Sequence, residues 1–296
     1  MLSCELGMKL VYAVLFLVLA PVAGGLLAGL DRIISARMQR RVGPGILQPF
    51  YDVLKLWDKE GVEVNPAQGF YIFSFLLFVV LSGVFFFAGG DLLLVIFTLT
   101  IASVLFVTAA YSSNSPYSQV SAQRELLQAM AYEPMMLLVA IGFYACCGSF
   151  AVDDILNSNS LNIVKMPGLF LGMCFIFLIK FRKSPFDVAM SHEIHQELIQ
   201  GLATEFSGRT LALIEVAHWY EDVFLFGFVY LFFGGAGLFT LVGGLLACAL
   251  VYFLMILVDN CCSRVKWQHL LRCSWAVTLV LGFTNVVYLM FRMQGY

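Results

Sequence analysis

Long apolar runs alternate with short polar stretches along the whole 296-residue chain. A helix that crosses the hydrocarbon core of a bilayer needs about 20 mostly apolar residues. Eight runs meet or approach this length, and they lie near residues 8–30, 70–89, 92–111, 126–149, 166–182, 209–234, 236–258 and 271–291. The pattern predicts an all-α polytopic membrane protein, a single integral membrane domain over residues 1–296, with about eight transmembrane helices.

A second hydrophobic pattern follows the first helix. Gly43-Pro44-Gly45 is a strong turn signal, and the apolar residues that come after it recur at helical spacing at Ile46, Phe50, Val53, Leu54 and Trp57. This spacing predicts a short amphipathic helix at the cytoplasmic membrane interface. The helix is either an interfacial strut or part of a basic platform, in which Arg37, Arg40 and Arg41 pair with the carboxylates of a cytoplasmic partner.

The composition agrees with a membrane location. Charged residues make up 12% of the chain, whereas soluble domains carry about 25%. The net charge of −2 gives no argument for nucleic acid as a partner. The eight cysteines form no CxxC pair, and iron–sulfur and zinc sites need several thiolates at loop spacing. We therefore expect no metal or cluster in this chain.

The basic residues predict the orientation. With eight spans, the connections after helices 1, 3, 5 and 7 share one side and hold 14 of the 17 lysines and arginines. The positive-inside rule makes this side cytoplasmic and turns both termini outward. Loops 31–69 and 182–208 are then cytoplasmic. Clear internal repeats are missing from the sequence, which disfavours a stand-alone secondary transporter.

Ionisable residues within the apolar runs are the first candidates for function. A charged side chain at the bilayer centre costs roughly 2.5–3.5 kcal/mol on insertion scales, so such residues commonly mark ion paths. The candidates are Glu133 in helix 4 and Glu215, His218, Glu221 and Asp222 in helix 6. The helix 6 residues either satisfy one another near a membrane surface or relay protons, whereas Glu133, as a lone buried charge, requires a partner or a wet cavity. Glu125, at the end of the loop before helix 4, is expected to pair with the neighbouring Arg124.

The cytoplasmic stretch RKSPFDVAMSHEIHQELIQGLATEFSG, residues 182–208, is unusually acidic. Its ion-path candidates are Glu193, His195, Glu197 and Glu205. A helical interpretation of this stretch clusters its carboxylates, and neighbouring carboxylates raise one another's proton affinity. Arg182 and Asp187 are expected to hold the loop in place. HEIH is not the HExxH signature of zinc proteases, so a metal site is the weaker interpretation.

Three motifs carry a resemblance to a known family. They are ARMQRRVGPGILQPFYDVLK, AQRELLQAMAYEPMMLL and FRKSPFDVAMSHEIHQELIQGLATEFSG. Together they resemble, across nearly the full chain, the membrane subunit at the heel of respiratory complex I and of group 4 membrane-bound [NiFe] hydrogenases. In that family the subunit joins the membrane arm to the cytoplasmic redox arm, and its acidic loop and helices carry a proposed path that couples redox chemistry to ion movement.

Two features are more similar to the Ech-type energy-converting hydrogenases than to complex I. Complex I members carry extra residues in the first loop, which help to build the quinone entrance, whereas RVGPGILQP is contracted here. The motif SHEIHQELIQG, with His195 directly before QEL, also resembles the hydrogenases. His218 stands where many complex I relatives have glutamate, which puts a direct transfer of their helix 6 path in doubt.

The resemblance implies a heel subunit in a prokaryotic cytoplasmic membrane. Such a subunit anchors a hydrogenase module and couples ferredoxin-linked H₂ evolution or oxidation to H⁺ or Na⁺ translocation. The implied partners are the [NiFe] hydrogenase large and small subunits, an iron–sulfur subunit and an antiporter-like membrane subunit. The [NiFe] centre and the [4Fe–4S] clusters would belong to these partners. The alternatives are the quinone-site subunit of a complex I-type oxidoreductase and a purely structural membrane anchor.

Overall fold

The computed structural model describes residues 2–62, 65–158, 161–190, 198, 200–235 and 237–294. This described part contains helices and no β-strand. The α-helices are α1 (Leu2–Met38), α2 (Gln48–Asp58), α3 (Ala67–Phe87), α4 (Leu92–Tyr111), α5 (Pro116–Cys147), α6 (Val152–Leu156), α7 (Asn162–Lys165), α8 (Pro167–Lys180), α9 (Arg209–Leu231), α10 (Leu238–Cys261), α11 (Trp267–Val277) and α12 (Thr284–Gln294). A 3₁₀ turn covers Gly201–Ala203, and a π-helical turn, Thr278–Phe283, joins α11 to α12.

The predicted all-α polytopic fold is confirmed, and each of the eight predicted segments is helical. Six helices of the described chain are long and apolar enough to cross a membrane: α1, α3, α4, α5, α10 and the continuous α11–α12. The other two predicted spans are α8, which has 14 residues, and α9, which contains several ionisable residues. Their status as spans stays a prediction. Two helices extend beyond the predicted spans, because α1 continues to Met38 and α5 begins at Pro116.

The amphipathic helix after the glycine–proline turn is present as α2. It begins at Gln48, and Pro49 lies in its first turn, where a missing backbone N–H costs nothing. The ring of Phe50 packs against the indole of Trp219 in α9, with the ring centroids 5.2 Å apart. A Cβ atom at Gly25 of α1 would lie 2.4 Å from the Phe50 ring, so glycine is required there for this close approach. The α2 helix thus lies directly on α1 and α9.

One end of the bundle collects the connections that contain most of the basic residues, and we refer to it as the basic end. The backbone N–H of Val62, after α2, donates to Ser207 Oγ, just before α9, at 2.8 Å. The N–H of Val265, between α10 and α11, donates to the carbonyl of Pro185, after α8, at 3.1 Å. Segments from loops 31–69 and 182–208 therefore meet, while the assignment of this end to the cytoplasm stays a prediction.

The opposite end is closed by its own contacts. The N–H of Val152 donates to the carbonyl of Gly90 at 3.0 Å, which joins the α5–α6 and α3–α4 connections. Lys9 Nζ of α1 lies 2.6 Å from Asp153 Oδ2 in α6. Between the two ends the core is dominated by phenylalanine, with Phe143, Phe177, Phe224, Phe228 and Phe232 all fully buried. The helices of this core position the charged residues described next.

Candidate functional site

A buried ion pair lies where α5, α8 and α9 meet. Lys180 is the last residue of α8, and its Nζ donates to Oε1 of Glu221 in α9 at 2.9 Å. The two side chains are only 6% and 10% exposed. The Lys180 ammonium also lies 4.3 Å from the ring centroid of Tyr132 in α5, which adds a cation–π attraction. The carboxylate and the ring together compensate the cost of removing the lysine from water.

Arg182 forms a second buried cluster beside this pair. Its backbone is left-handed, with φ of 52°, at the point where the chain leaves α8. The guanidinium Nη2 lies 3.9 Å from Glu125 Oε1 of α5, and Nη1 bonds the imidazole of His218 in α9. The imidazole is edge-on to Phe75 and Phe106, with centroid distances of 6.1 and 6.0 Å. Arg182 therefore links the loop after α8 to residues inside the helix bundle.

The expected pairing of Glu125 with Arg124 was wrong. Adjacent residues of a helix point about 100° apart and do not face each other, and both residues lie inside α5. The Arg124 guanidinium instead lies 3.4 Å from the carbonyl of Val188. Glu125 turns inward toward Arg182, and its Oε2 is buried without a hydrogen-bond partner among the described residues.

A small cavity separates the two clusters. Its volume is about 10 Å³, which is about the space that one water molecule needs. Its polar lining consists of Ser103, Glu125, Lys180, Arg182 and Glu221. Carboxylates within one-water reach of each other can exchange protons. The arrangement can therefore connect the loop after α8 with the interior of α5 and α9.

The remaining candidates within the described chain lie in α5, in α9 and in the connection that precedes α9. Glu133 is half-buried in α5, within electrostatic range of Lys180. Asp222 in α9 is within electrostatic range of Arg182 and Lys183. Glu205, Glu215 and Asp222 are also half-buried. The predicted residues Glu193, His195 and Glu197 lie outside the described residues.

A group of ion pairs fixes the chain at the basic end. Lys183 Nζ bonds Asp31 of α1 and lies 3.2 Å from Asp259 Oδ2 of α10. Asp187, which was expected to hold the loop, bonds Arg264 in the α10–α11 connection. Burial raises the pKa of Asp187 to about 6, although the Arg264 guanidinium acts in the opposite direction. Burial acts to lower the pKa of Lys183, but the two facing carboxylates outweigh it and the pKa is raised.

The three arginines that were predicted to dock a partner project from the same end. Arg37, Arg40 and Arg41 are exposed at and beyond the end of α1. Arg41 bonds the side chain of Gln39. The next residue, Val42, is 98% exposed. These side chains are accessible to a soluble protein that approaches the basic end.

Five residues of these clusters do not stand out in the sequence. Lys180, Lys183 and Arg264 contribute there only to the predicted orientation, and Asp31 and Asp259 belong to none of the motifs. The sequence signal for Lys180 is its place at the end of the apolar run 167–179, and the packing of α8 on α9 brings it to Glu221. Within the described residues, no group of three or more His, Cys, Asp or Glu could hold a metal ion.

Ionisable residues that are buried between the helices of a polytopic bundle are typical of membrane proteins with a functional site in their interior. The sequence matches the NADH dehydrogenase family over residues 10–290, so the chain belongs to that family. Its resemblance to the membrane subunits of hydrogenases and of complex I is confirmed, and it is a membrane-arm subunit of an energy-converting complex.

Several relatives match over most of their length. The chain is 32% identical to hydrogenase-4 component C of Escherichia coli (strain K12), with 93% of this chain and 91% of the relative covered. It is 26% identical to formate hydrogenlyase subunit 4 of the same organism, with 90% and 93% covered. It is 30% identical to an NADH-quinone oxidoreductase subunit of Salinibacter ruber (strain DSM 13855 / M31), with 90% of each chain covered.

A solved structure shows the same fold. A chain of the membrane-bound sulfane sulfur reductase, an archaeal respiratory membrane complex, superposes with a TM-score of 0.85. The superposition covers 95% of this chain and 99% of that chain, at 24% sequence identity.

Proposed function

We propose that this chain is the membrane-arm subunit through which an energy-converting [NiFe] hydrogenase couples ferredoxin-linked H₂ evolution or oxidation to H⁺ or Na⁺ translocation. The observation that carries the proposal is the 32% identity to hydrogenase-4 component C over almost the whole chain. The proposed partners are the hydrogenase large and small subunits, an iron–sulfur subunit and an antiporter-like membrane subunit. These partners hold the [NiFe] centre and the [4Fe–4S] clusters, and the complex lies in a prokaryotic cytoplasmic membrane.

The proposed docking surface is the basic end of the bundle. Arg37, Arg40 and Arg41 are exposed there, and guanidinium groups pair with carboxylates in two-point geometry. The clusters around Arg182 and Lys180 begin at the same end and continue between the helices. A partner that docks at this end therefore lies next to the start of the proposed path, where a change in its redox state can act on the first charged groups.

The proposed path uses groups that can hold or pass a proton. Arg182 contacts both Glu125 and His218, and the cavity connects Glu125 with the Lys180–Glu221 pair. Glu133, Glu215 and Asp222 extend the path within α5 and α9. Glu193, His195, Glu197 and Glu205 are the proposed entry groups. Protonation of a carboxylate in this network changes the balance of neighbouring charges, which is how a local redox change is passed on.

Neutralising the membrane carboxylates tests this role. Glu133→Gln and Glu215→Gln are expected to uncouple ion transport from H₂ turnover, or to abolish turnover, while the complex still assembles. Ion uptake and H₂ production are measured together in proteoliposomes, with Glu60→Gln, at an exposed site, as the matched control. If both membrane variants couple ion uptake to H₂ production as the wild type does, the proposed proton relay is wrong and the chain is a purely structural anchor.

A quinone-linked function is the second candidate, because the Salinibacter ruber relative at 30% identity belongs to an NADH-quinone oxidoreductase. The contracted first loop argues against it. A Cβ atom at Gly29 of α1 would lie 2.1 Å from the carbonyl oxygen of Ile46, so the chain after the turn lies tightly on α1. Reduction of an added quinone by the purified complex, in the absence of H₂ production, would support this candidate.

A further inference from the structure

Five charged side chains at the basic end form what we term the ionic latch: Asp31, Lys183, Asp187, Asp259 and Arg264. They come from α1, from the segment after α8, from α10 and from the α10–α11 connection. Lys183 bridges two carboxylates on different helices, and Asp187 pairs with Arg264. Segment 183–187 is thus held between elements that are distant in sequence.

Backbone hydrogen bonds reinforce the same attachment. The N–H of Ser184 donates to Asp259 Oδ1 at 2.8 Å. The N–H of Val265 donates to the carbonyl of Pro185 at 3.1 Å. Both amides lie directly at the contact between segment 183–187 and α10 or its following connection. The rate at which these two amide hydrogens exchange with solvent therefore shows whether the latch is closed.

The latch charges are largely removed from water. The Asp187 side chain is 8% exposed, and within the part of the chain that the structure describes its Oδ1 is buried without a hydrogen-bond partner. The charged groups that act on Asp187 are Arg264, Asp259 and Arg182. Without Arg264 an ionised Asp187 would be buried without its cation, which weakens the attachment whenever Asp187 is ionised.

We propose that Arg264 and Lys183 are positioning residues for the ion path, which together hold segment 183–187 against α1 and the α10–α11 connection. This inference rests on the proposed function. Segment 183–187 directly follows Arg182, which contacts Glu125 and His218, and it precedes residues 191–197 in the chain. The position of segment 183–187 therefore constrains how Arg182 reaches the buried clusters.

Protonation of Asp187 is linked to the state of the latch. Its pKa is about 6 in the closed latch and 3.8 for a carboxyl in water, so the closed state binds the proton more tightly. The latch is consequently tightest when Asp187 is protonated, and it loosens as the pH rises through the interval between these two values. By linkage, the opening equilibrium rises about tenfold between about pH 5 and about pH 7.

Hydrogen–deuterium exchange of the purified complex tests the latch directly. After correction for the intrinsic pH dependence of exchange, the amides of Ser184 and Val265 are expected to exchange faster as the pH rises. Asp187→Asn should abolish this dependence. Arg264→Gln should accelerate both amides several-fold and extend the pH dependence above about pH 7, because the raised pKa of Asp187 rises further without the guanidinium.

Two controls separate positioning from a general loss of structure. Lys266→Gln removes an exposed cation from the same connection and should leave the exchange of both amides unchanged. Arg264→Lys keeps the charge and should restore most of the protection. If the amides of Ser184 and Val265 exchange at the same rate in Arg264→Gln and Lys266→Gln, Arg264 does not hold segment 183–187 in place.

The functional arm of the experiment measures ion uptake per H₂ in the same variants. Arg264→Gln is expected to lower this ratio and to shift its pH profile, whereas Lys266→Gln does neither. If hydrogen–deuterium exchange shows an open latch in Arg264→Gln while ion uptake per H₂ and its pH profile are unchanged, the positioning role is wrong. Absence of ion uptake in the wild-type complex would contradict the proposed function, while the exchange data would still decide whether the latch exists.

Discussion

At the scale of residues, charge pairing decides which ionisable groups this bundle tolerates. Lys180 lies inside the helix bundle because Glu221 and the Tyr132 ring face it from two other helices. Arg182 is placed similarly between Glu125 and His218. Each cation therefore has partners on both α5 and α9, and the cost of desolvation is shared among neutralising contacts.

The Lys180–Glu221 pair gives a prediction about stability. Lys180→Met leaves the Glu221 carboxylate buried without its cation, so we expect the free energy of unfolding to fall by about 3–5 kcal/mol. The double variant Lys180→Met/Glu221→Gln removes both charges and should recover part of this loss. The thermal unfolding temperature of the purified complex should fall in Lys180→Met and recover in part in the double variant, and additive losses in the double variant would show that the two groups do not interact.

Asp187 gives a prediction about protonation. Since burial raises its pKa to about 6, the carboxyl is protonated below this pH and ionised above it. An infrared difference spectrum between wild type and Asp187→Asn should contain a protonated-carboxyl band that disappears as the pH rises through about 6. A band that is already lost near pH 4, the usual range of aspartate, would contradict the buried environment.

At the scale of elements, the packing of α2 on α1 and α9 fixes the geometry of the basic end. Gly25 and Gly29 of α1 lie under Phe50 and Ile46. The same α9 helix presents Trp219 to α2, and His218 and Glu221 to the buried clusters. The interfacial helix and the proposed ion path consequently share one supporting helix.

A glycine substitution tests this arrangement. In Gly29→Ala the new methyl group meets a backbone carbonyl 2.1 Å away, and such overpacking costs about 1–3 kcal/mol. We expect a lower unfolding temperature and faster proteolysis between α1 and α2. Gly45→Ala is the matched control, because a Cβ atom there meets nothing within 4 Å. If the two variants behave alike, α2 is not held by this contact.

At the scale of the whole molecule, the orientation follows from the asymmetry of basic residues. We predict that Val42→Cys, at a site that is 98% exposed at the basic end, reacts with an impermeant thiol reagent only after the membrane is opened. Asn157→Cys, exposed at the opposite end, should react in intact cells, with the native cysteines replaced in both variants. The reverse pattern would place the basic end outside.

The helical segments could be predicted from sequence because membrane-spanning length and helical periodicity are local properties. The amphipathic α2 followed from the spacing of Phe50 and Trp57 in the same way. Pairing between helices could not be predicted, because it depends on how α5, α8 and α9 pack. The sequence therefore identifies Lys180 only as one of the basic loop residues. It predicts Arg124, the sequence neighbour, rather than Arg182 as the partner of Glu125. The predicted roles of Glu193, His195 and Glu197 stay predictions.

The most direct test of the central claim is H₂ evolution from reduced ferredoxin by the intact complex, purified through a tag on this chain. We expect sustained H₂ production that depends on the co-purified iron–sulfur and [NiFe] subunits. An intact complex that contains its clusters but produces no H₂, and that reduces quinone instead, would contradict the account and assign the chain to a quinone-linked complex.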